Sequence, residues 1–395
     1  MGCQSPFDQI VERRHTQCVK WDAAAEVFGS GQEDLLPMWV ADMDFLPPEA
    51  VVKAVTARAK HGVYGYEIKP ASLNAAIIDW LKTRHGWAID PSWLLYSPGV
   101  VSGLATAILA LTEPGDSVVI QSPVYPPFFS TASENDRIVV ENKLCEANGR
   151  YTMDLVDLEE IFRAGAKVLI LCSPHNPVGR VWSREELLAL GELVVKYGVT
   201  VLSDEIWADL TFSSQKHIPL ASLSPEIADR VMTFMAPSKT FNLAGLYLSD
   251  VIIPNQDMRD KFANQVQRLG NGHSNVFAPI AAETAYREGQ AWLDALLTYL
   301  EGNLEYVKAQ LAKITSKIKV VWPEGTFVLW LDCRDLDIPP EELNQFFVQK
   351  AGLALNDGVM FGSAGAGYQR MNIGCPRSVL EEAMARLAKA LEDYK

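Results

Sequence analysis

The chain has 395 residues, 48% of them hydrophobic, 21% charged and 9% aromatic, which supplies a large core and excludes a mostly disordered protein. Its 35 Lys plus Arg against 49 Asp plus Glu give a formal charge of −14, with no basic cluster of the kind that grips nucleic acid. Apolar runs such as 168–172 and 327–331 fall well short of the roughly 20 residues of a membrane-crossing helix, so no membrane span is expected.

Residues Met1 to Asp8 lack the basic-then-apolar order of a secretory signal, which makes the cytoplasm the expected compartment. The cysteines (Cys3, Cys18, Cys145, Cys172, Cys333 and Cys375) show no CxxC spacing, and the histidines no HExxH pair. Reduced thiols and no metal site are the expectation. Residues 1–46 read as an irregular arm. Pro47-Pro48 then opens a helical pattern with Val51, Val52 and Val55 on one face, and Gly62 closes it.

From Gly99 to Lys261, short β-branched runs alternate with helical patterns: Ser117 to Ile120, Lys167 to Leu171, Val199 to Leu202 and Val231 to Phe234. That alternation predicts βαβ units and a mainly parallel sheet covered by helices on both faces. After Pro279 a long helical stretch runs from about Ala281 to Ile314 with a break near Glu288-Gly289, followed by a strand over 325–332 and a last helix from Ser378. These features predict a large α/β domain over 47–288 and a smaller α+β domain over 289–395, with the arm packed on the latter.

Three motifs follow the apolar runs. Lys239 lies in Ala236-Pro237-Ser238-Lys239-Thr240-Phe241-Asn242, where a lysine at the end of a buried strand is costly unless its amine is used. Ser173-Pro174-His175-Asn176-Pro177-Val178-Gly179 and Ser203-Asp204-Glu205-Ile206-Trp207 sit at two other strand ends, where open α/β sheets place their ligand crevices. Each motif alone also suits an ordinary turn. Together with Tyr125, in order and at these intervals, they resemble the fold-type I pyridoxal 5′-phosphate (PLP) enzymes of the class I/II aminotransferase superfamily over nearly the whole chain.

The resemblance implies a seven-stranded, mainly parallel sheet between helices and a role for each matching residue. Lys239 is implied to form the covalent imine with the cofactor aldehyde and then to act as the base at Cα. Asp204 is implied to face the pyridine nitrogen, Asn176 the ring phenolic oxygen, and Tyr125 the ring face. The phosphate is implied to sit at Ser97-Pro98-Gly99-Val100-Val101-Ser102, taking N–H groups of Val100 and Val101 with help from Ser238. Tyr66, in Tyr64-Gly65-Tyr66, matches the tyrosine that reaches the neighbouring subunit's phosphate, so a homodimer with sites at the subunit interface is implied. Arg370 is the implied partner of the substrate carboxylate, while Arg377 starts the last helix in a structural role. Two positions depart from the superfamily: Tyr247 stands where many members carry a phosphate-binding arginine, and Ala236 where serine is frequent.

The cofactor supports several reactions, and the fold alone leaves the choice open. The segments 37–45, 61–66 and 372–377 resemble the cystathionine β-lyase-like carbon–sulfur lyase branch, in which the arm passes the substrate, so that Ala41 can offer its backbone to the carboxylate. The implied reaction cleaves cystathionine or another S-substituted cysteine, thioether or sulfoxide, to pyruvate, ammonia and a thiol-type product. A class I/II aminotransferase is the alternative, and a non-catalytic regulator a third reading that the intact Lys239, Asp204, Asn176 and Tyr125 set opposes. Trp207 departs from the branch, whose members carry histidine there.

Overall fold

The computed structural model describes residues 5–29 and 34–394, so Cys3 lies outside the described residues. Seven short runs, six of them with two or more β-branched residues, build the main sheet: β1 (Leu94–Ser97), β2 (Ser117–Ile120), β3 (Ile138–Glu141), β4 (Val168–Cys172), β5 (Thr200–Asp204), β6 (Val231–Met235) and β7 (Ser249–Ile252). Their order is β1-β7-β6-β5-β4-β2-β3. The five strands from β6 to β3 are parallel, and β7 pairs antiparallel with both β6 and β1. Every residue of β4 and β6 is buried, because helices cover both faces. Val168, Ile170 and Cys172 join Leu104, Ile108 and Phe262 on one face, whereas Leu169 and Leu171 join Leu187, Leu190 and Ala282 on the other.

The predicted runs at 117–120, 167–171, 199–202 and 231–234 coincide with β2, β4, β5 and β6. The helix Glu49–His61 ends on Gly62 at φ 79°, as expected, but only Val51 is buried. Val52 is exposed because adjacent helical residues are about 100° apart around the axis, which turns it away from the narrow face that buries Val51.

A second sheet was only partly visible in the sequence. It contains β8 (Lys319–Val321), β9 (Val328–Asp332), β10 (Asn356–Asp357) and β11 (Tyr368–Asn372), in the antiparallel order β8-β9-β11-β10. The sequence predicted just the strand at β9. The other three are short or carry Asn, Gln and Arg, which weakens any strand pattern. The helices Ala278–Glu288 and Gln290–Ile314 bracket the expected break at Gly289.

Two contacts bring the arm and the second sheet to the strand ends of the first. Leu36–Pro37 pairs in parallel with Leu353–Ala354, and Phe7 packs against Phe45, Trp292 and Tyr299 with ring centroids 5.1, 5.6 and 5.4 Å away. The loop after β4 docks through Gly179, whose carbonyl accepts from Glu324 N at 2.7 Å and Gly325 N at 3.1 Å. Gly179 has φ +70°, and a Cβ there would lie 2.5 Å from Pro323 Cβ. Gly179→Ala therefore combines left-handed strain with overlap and should lower stability by about 2–4 kcal/mol, read as a reduced urea midpoint.

Candidate active site

The C-terminal ends of β4, β5 and β6 lie side by side, with Cys172 opposite Asp204 and Asp204 opposite Phe234. The chain leaves these ends into the three motifs that carry Asn176, Asp204 and Lys239. Lys239 occupies the short helix Pro237–Thr240, four residues beyond the last residue of β6. Its Nζ donates to the Ala41 carbonyl at 2.5 Å and stands 5.5 Å from the centre of the Trp207 ring. Burial pulls the amine down to about 8; the carboxylates of Asp42 and Asp204 oppose that shift and Arg370 adds to it.

Asp204 is 3% exposed, accepts from Ile206 N at 3.1 Å and forms no ion pair among the described residues. Burial raises it to about 7, against the Ile206 hydrogen bond and the Lys239 charge. Arg370 shows the complementary case. It is 4% exposed and has no carboxylate partner among the described residues: Nη2 donates to Trp39 O at 2.7 Å and Asn356 Oδ1 at 2.6 Å, and Nη1 donates to Asn176 Oδ1 at 3.1 Å. Its Nε is buried without a partner among those residues, and burial lowers the guanidinium to about 10.

Tyr125 is half-buried beside Phe128, with its phenol raised by burial. The helix Val100–Leu111 begins at Gly99 with no side-chain cap, and Gly103 N is the first amide to bond back, to Gly99 O. The N–H groups of Val100 and Val101 thus stand unpaired at the positive end of a twelve-residue helix. Ser238 is half-buried and its hydroxyl bonds to no protein group among the described residues. Tyr66 is 96% exposed, with its ring centroid 5.9 Å from that of His273, and Tyr247 is also exposed. Within one chain, then, Lys239, Asp204, Asn176, Arg370 and Ala41 are linked by contacts or by their fields, and Tyr66 stands apart on the surface.

These residues fit PLP on their own terms. A buried carboxylate without a cation suits a ring N–H, an uncapped helix start suits a phosphate, and an amine near 8 suits an aldehyde. The unpartnered Arg370 Nε suits a substrate carboxylate.

Sequence reasoning missed three asparagines. Asn242, at φ +57°, donates to Met43 O and Phe45 O at 2.8 Å and accepts from Met43 N at 3.0 Å. Asn356 holds Arg370, and Asn372 donates to Val40 O and Asp42 O. The available signal for Asn372 was a buried-strand asparagine between Met371 and Ile373, a position strands disfavour unless the amide is used.

A model of the family "Aminotransferase class I and II" matches residues 33–387, and the chain belongs to that family. Within it, the chain is 45% identical over 386 residues to "Cystathionine beta-lyase PatB" of Bacillus subtilis, covering 98% of this chain and 99% of that one. Cystalysin from Treponema denticola, whose crystal structure contains pyridoxal 5′-phosphate, is 34% identical with a TM-score of 0.95, covering 98% and 99%. The PLP-bound C–S lyase from Staphylococcus hominis is 31% identical with a TM-score of 0.90, covering 99% of each chain.

The raised Asp204 has a consequence for stability. The unfolded carboxyl titrates near 3.9 and the folded one at about 7, so in that window the folded cofactor-free protein holds a proton the unfolded chain has lost. Its stability contribution is complete below about pH 4 and disappears as pH rises through 7. Asp204→Asn should flatten part of the fall in urea midpoint between pH 4 and 8; Asp250, also raised to about 7 by burial, retains the rest.

Proposed function

We propose that the protein is a PLP-dependent carbon–sulfur β-lyase acting on cystathionine or another S-substituted cysteine, thioether or sulfoxide. The observation that carries this reading is its likeness to a cystathionine β-lyase, 45% identical over 386 residues, together with a half-buried lysine just beyond the end of β6. Water and the amino acid give pyruvate, ammonia and a thiol-type product, and no second amino acceptor is needed.

PLP, when bound, supplies an electrophilic aldehyde and a π-system that accepts the electron pair left at Cα. Asp204 would hold the ring nitrogen protonated, which a carboxylate buried without another cation is suited to do. Asn176, already fixed through its Oδ1 by Arg370, would offer its amide N–H to the ring oxygen, and Tyr125 would support the ring. Val100, Val101 and Ser238 would hold the phosphate. Arg370 receives the substrate carboxylate, and the Ala41 N–H, which has no protein acceptor among the described residues, adds a second donor. With its amine near 8, Lys239 has a useful free fraction at neutral pH; it removes the Cα proton and returns a proton to the departing sulfur.

The reading extends to assembly and compartment. Val63, Tyr64, Tyr66 and Ile68 are all exposed in one segment, which supports a homodimer that buries them and carries Tyr66 to the partner's phosphate. We assign residues 47–288 to the cofactor-binding domain, 289–395 to the smaller one with the arm 1–46 against it, and the enzyme to the cytoplasm.

With S-substituted cysteine and no keto acid, the enzyme should release pyruvate and thiol in equal amounts; turnover that waits for a keto acid would make it an aminotransferase. Lys239→Ala should remove the long-wavelength cofactor absorbance and reduce turnover at least 1,000-fold. Arg370→Ala should raise KM on the order of 100-fold, and damage confined to Arg377→Ala would move the carboxylate role to that residue. Sedimentation should give a dimer, and a fully active monomer would remove Tyr66 from the site.

A further inference from the structure

The segment from Trp39 to Phe45 belongs to no helix or strand, yet side chains claim its carbonyls almost one by one. Trp39 O accepts from Arg370 at 2.7 Å and Ala41 O from Lys239 at 2.5 Å. The intervening carbonyls point elsewhere: Val40 O and Asp42 O both accept from Asn372 Nδ2, at 2.7 and 2.6 Å. Asn372 is 1% exposed, and its Oδ1 accepts from Gly374 N at 2.7 Å, which fixes the orientation of the amide. One asparagine therefore grips the backbone on either side of Ala41.

The same segment is held from behind by ion pairs. Arg13 binds both oxygens of Asp42 at 2.9 and 2.7 Å, Asp44 at 2.6 Å and Met43 O at 3.2 Å. Lys20, 1% exposed, sits 2.7 Å from Asp44 Oδ2. Such pairs are costly to desolvate, and removing one partner leaves an uncompensated charge. Two cations and two anions are spent on a stretch whose exposed product is the Ala41 carbonyl.

We propose that Asn372, backed by Arg13 and Lys20, is a positioning residue for proton transfer: it fixes the Ala41 carbonyl, which holds the free amine of Lys239 by one N–H and leaves its lone pair for the Cα proton. The inference rests on the lyase reading for the identity of that proton. Its physical basis is independent of it, because an amine on a long flexible side chain loses reactivity when its rotamers are not restrained. Nothing is consumed in the positioning itself; the proton moves from Cα to Nζ and later to sulfur.

The groups facing Lys239 are Asp42, Asp204 and Arg370; Asn372→Ala removes none of these charges, and Arg13 still binds the Asp42 carboxylate. In cofactor-stripped protein, competitive acetylation across pH, read by mass spectrometry at Lys239, should show the amine falling by about half to one unit in Asn372→Ala, because the carbonyl that favours the ammonium is no longer held. In the holoenzyme, kcat should fall about 10- to 100-fold with a larger α-deuterium isotope effect, while KM changes less than about threefold. If Asn372→Ala does not fold, Arg13→Met reports the same isotope effect, and Arg13→Lys should restore most of the wild-type value. A folded Asn372→Ala protein with an unchanged amine titration and isotope effect overturns the proposal, as does equal damage in both Arg13 variants. Failure of the lyase reading is separately visible as absence of wild-type turnover, since the acetylation measurement uses no substrate.

Discussion

Two cations, the half-buried Lys239 and the buried Arg370, meet at one crevice without a direct carboxylate partner among the described residues, and this is the constraint around which the molecule is arranged. Removing unpaired charge from water is among the most expensive things a fold can do. The chain meets the cost with dipoles in place of charges. Backbone carbonyls of Trp39 and Ala41 and the amide oxygens of Asn176 and Asn356 accept from the two groups, while Asp42 and Asp204 act at longer range. Amides satisfy a cation without neutralising it, so both groups keep an unfilled appetite for something negative or electrophilic. The crevice is thereby prepared for an amino acid and an aldehyde before either arrives.

That arrangement explains why the site is assembled from three distant parts of the chain. Parallel strands deliver Asn176, Asp204 and Lys239 to one edge because each strand ends on the same side of the sheet. The second sheet supplies Arg370 from the middle of β11, a rigid position that a loop would not provide. Gly179, pressed against Pro323, is where the two sheets meet closely enough for Arg370 to reach Asn176.

The legibility of the site in the sequence followed the same division. Residues at the ends of apolar runs, such as Lys239 and Asp204, stood out because a charged group next to a buried strand is anomalous, and the parallel sheet announced itself through fully apolar runs. The short strands β8, β10 and β11 were hidden, since β8 has only three residues, β10 and β11 mix Asn, Asp, Gln and Arg with few apolar ones, and all are held by pairing across the sheet. The arm was read as irregular, which is correct for its backbone, but its partners were invisible. Arg13, Lys20, Asn242 and Asn372 act on backbone atoms far away in sequence, and no local pattern encodes an acceptor 199 or 332 residues distant. Tyr66 was legible through resemblance alone, because its exposed place in a single chain carries no physical signal of what it meets.

The arm also separates folding from chemistry along the chain. The seven-stranded and four-stranded sheets and the helix at Gly99 lie beyond residue 90, whereas Arg13 and Lys20 precede all of them. A chain without Arg13 and Lys20 would leave Asp42 and Asp44 without counter-ions beside the Ala41 carbonyl that Lys239 contacts, and one without Phe7 would lose a buried aromatic contact as well. The first residues thus shape the field at Lys239 from a place in the sequence remote from it.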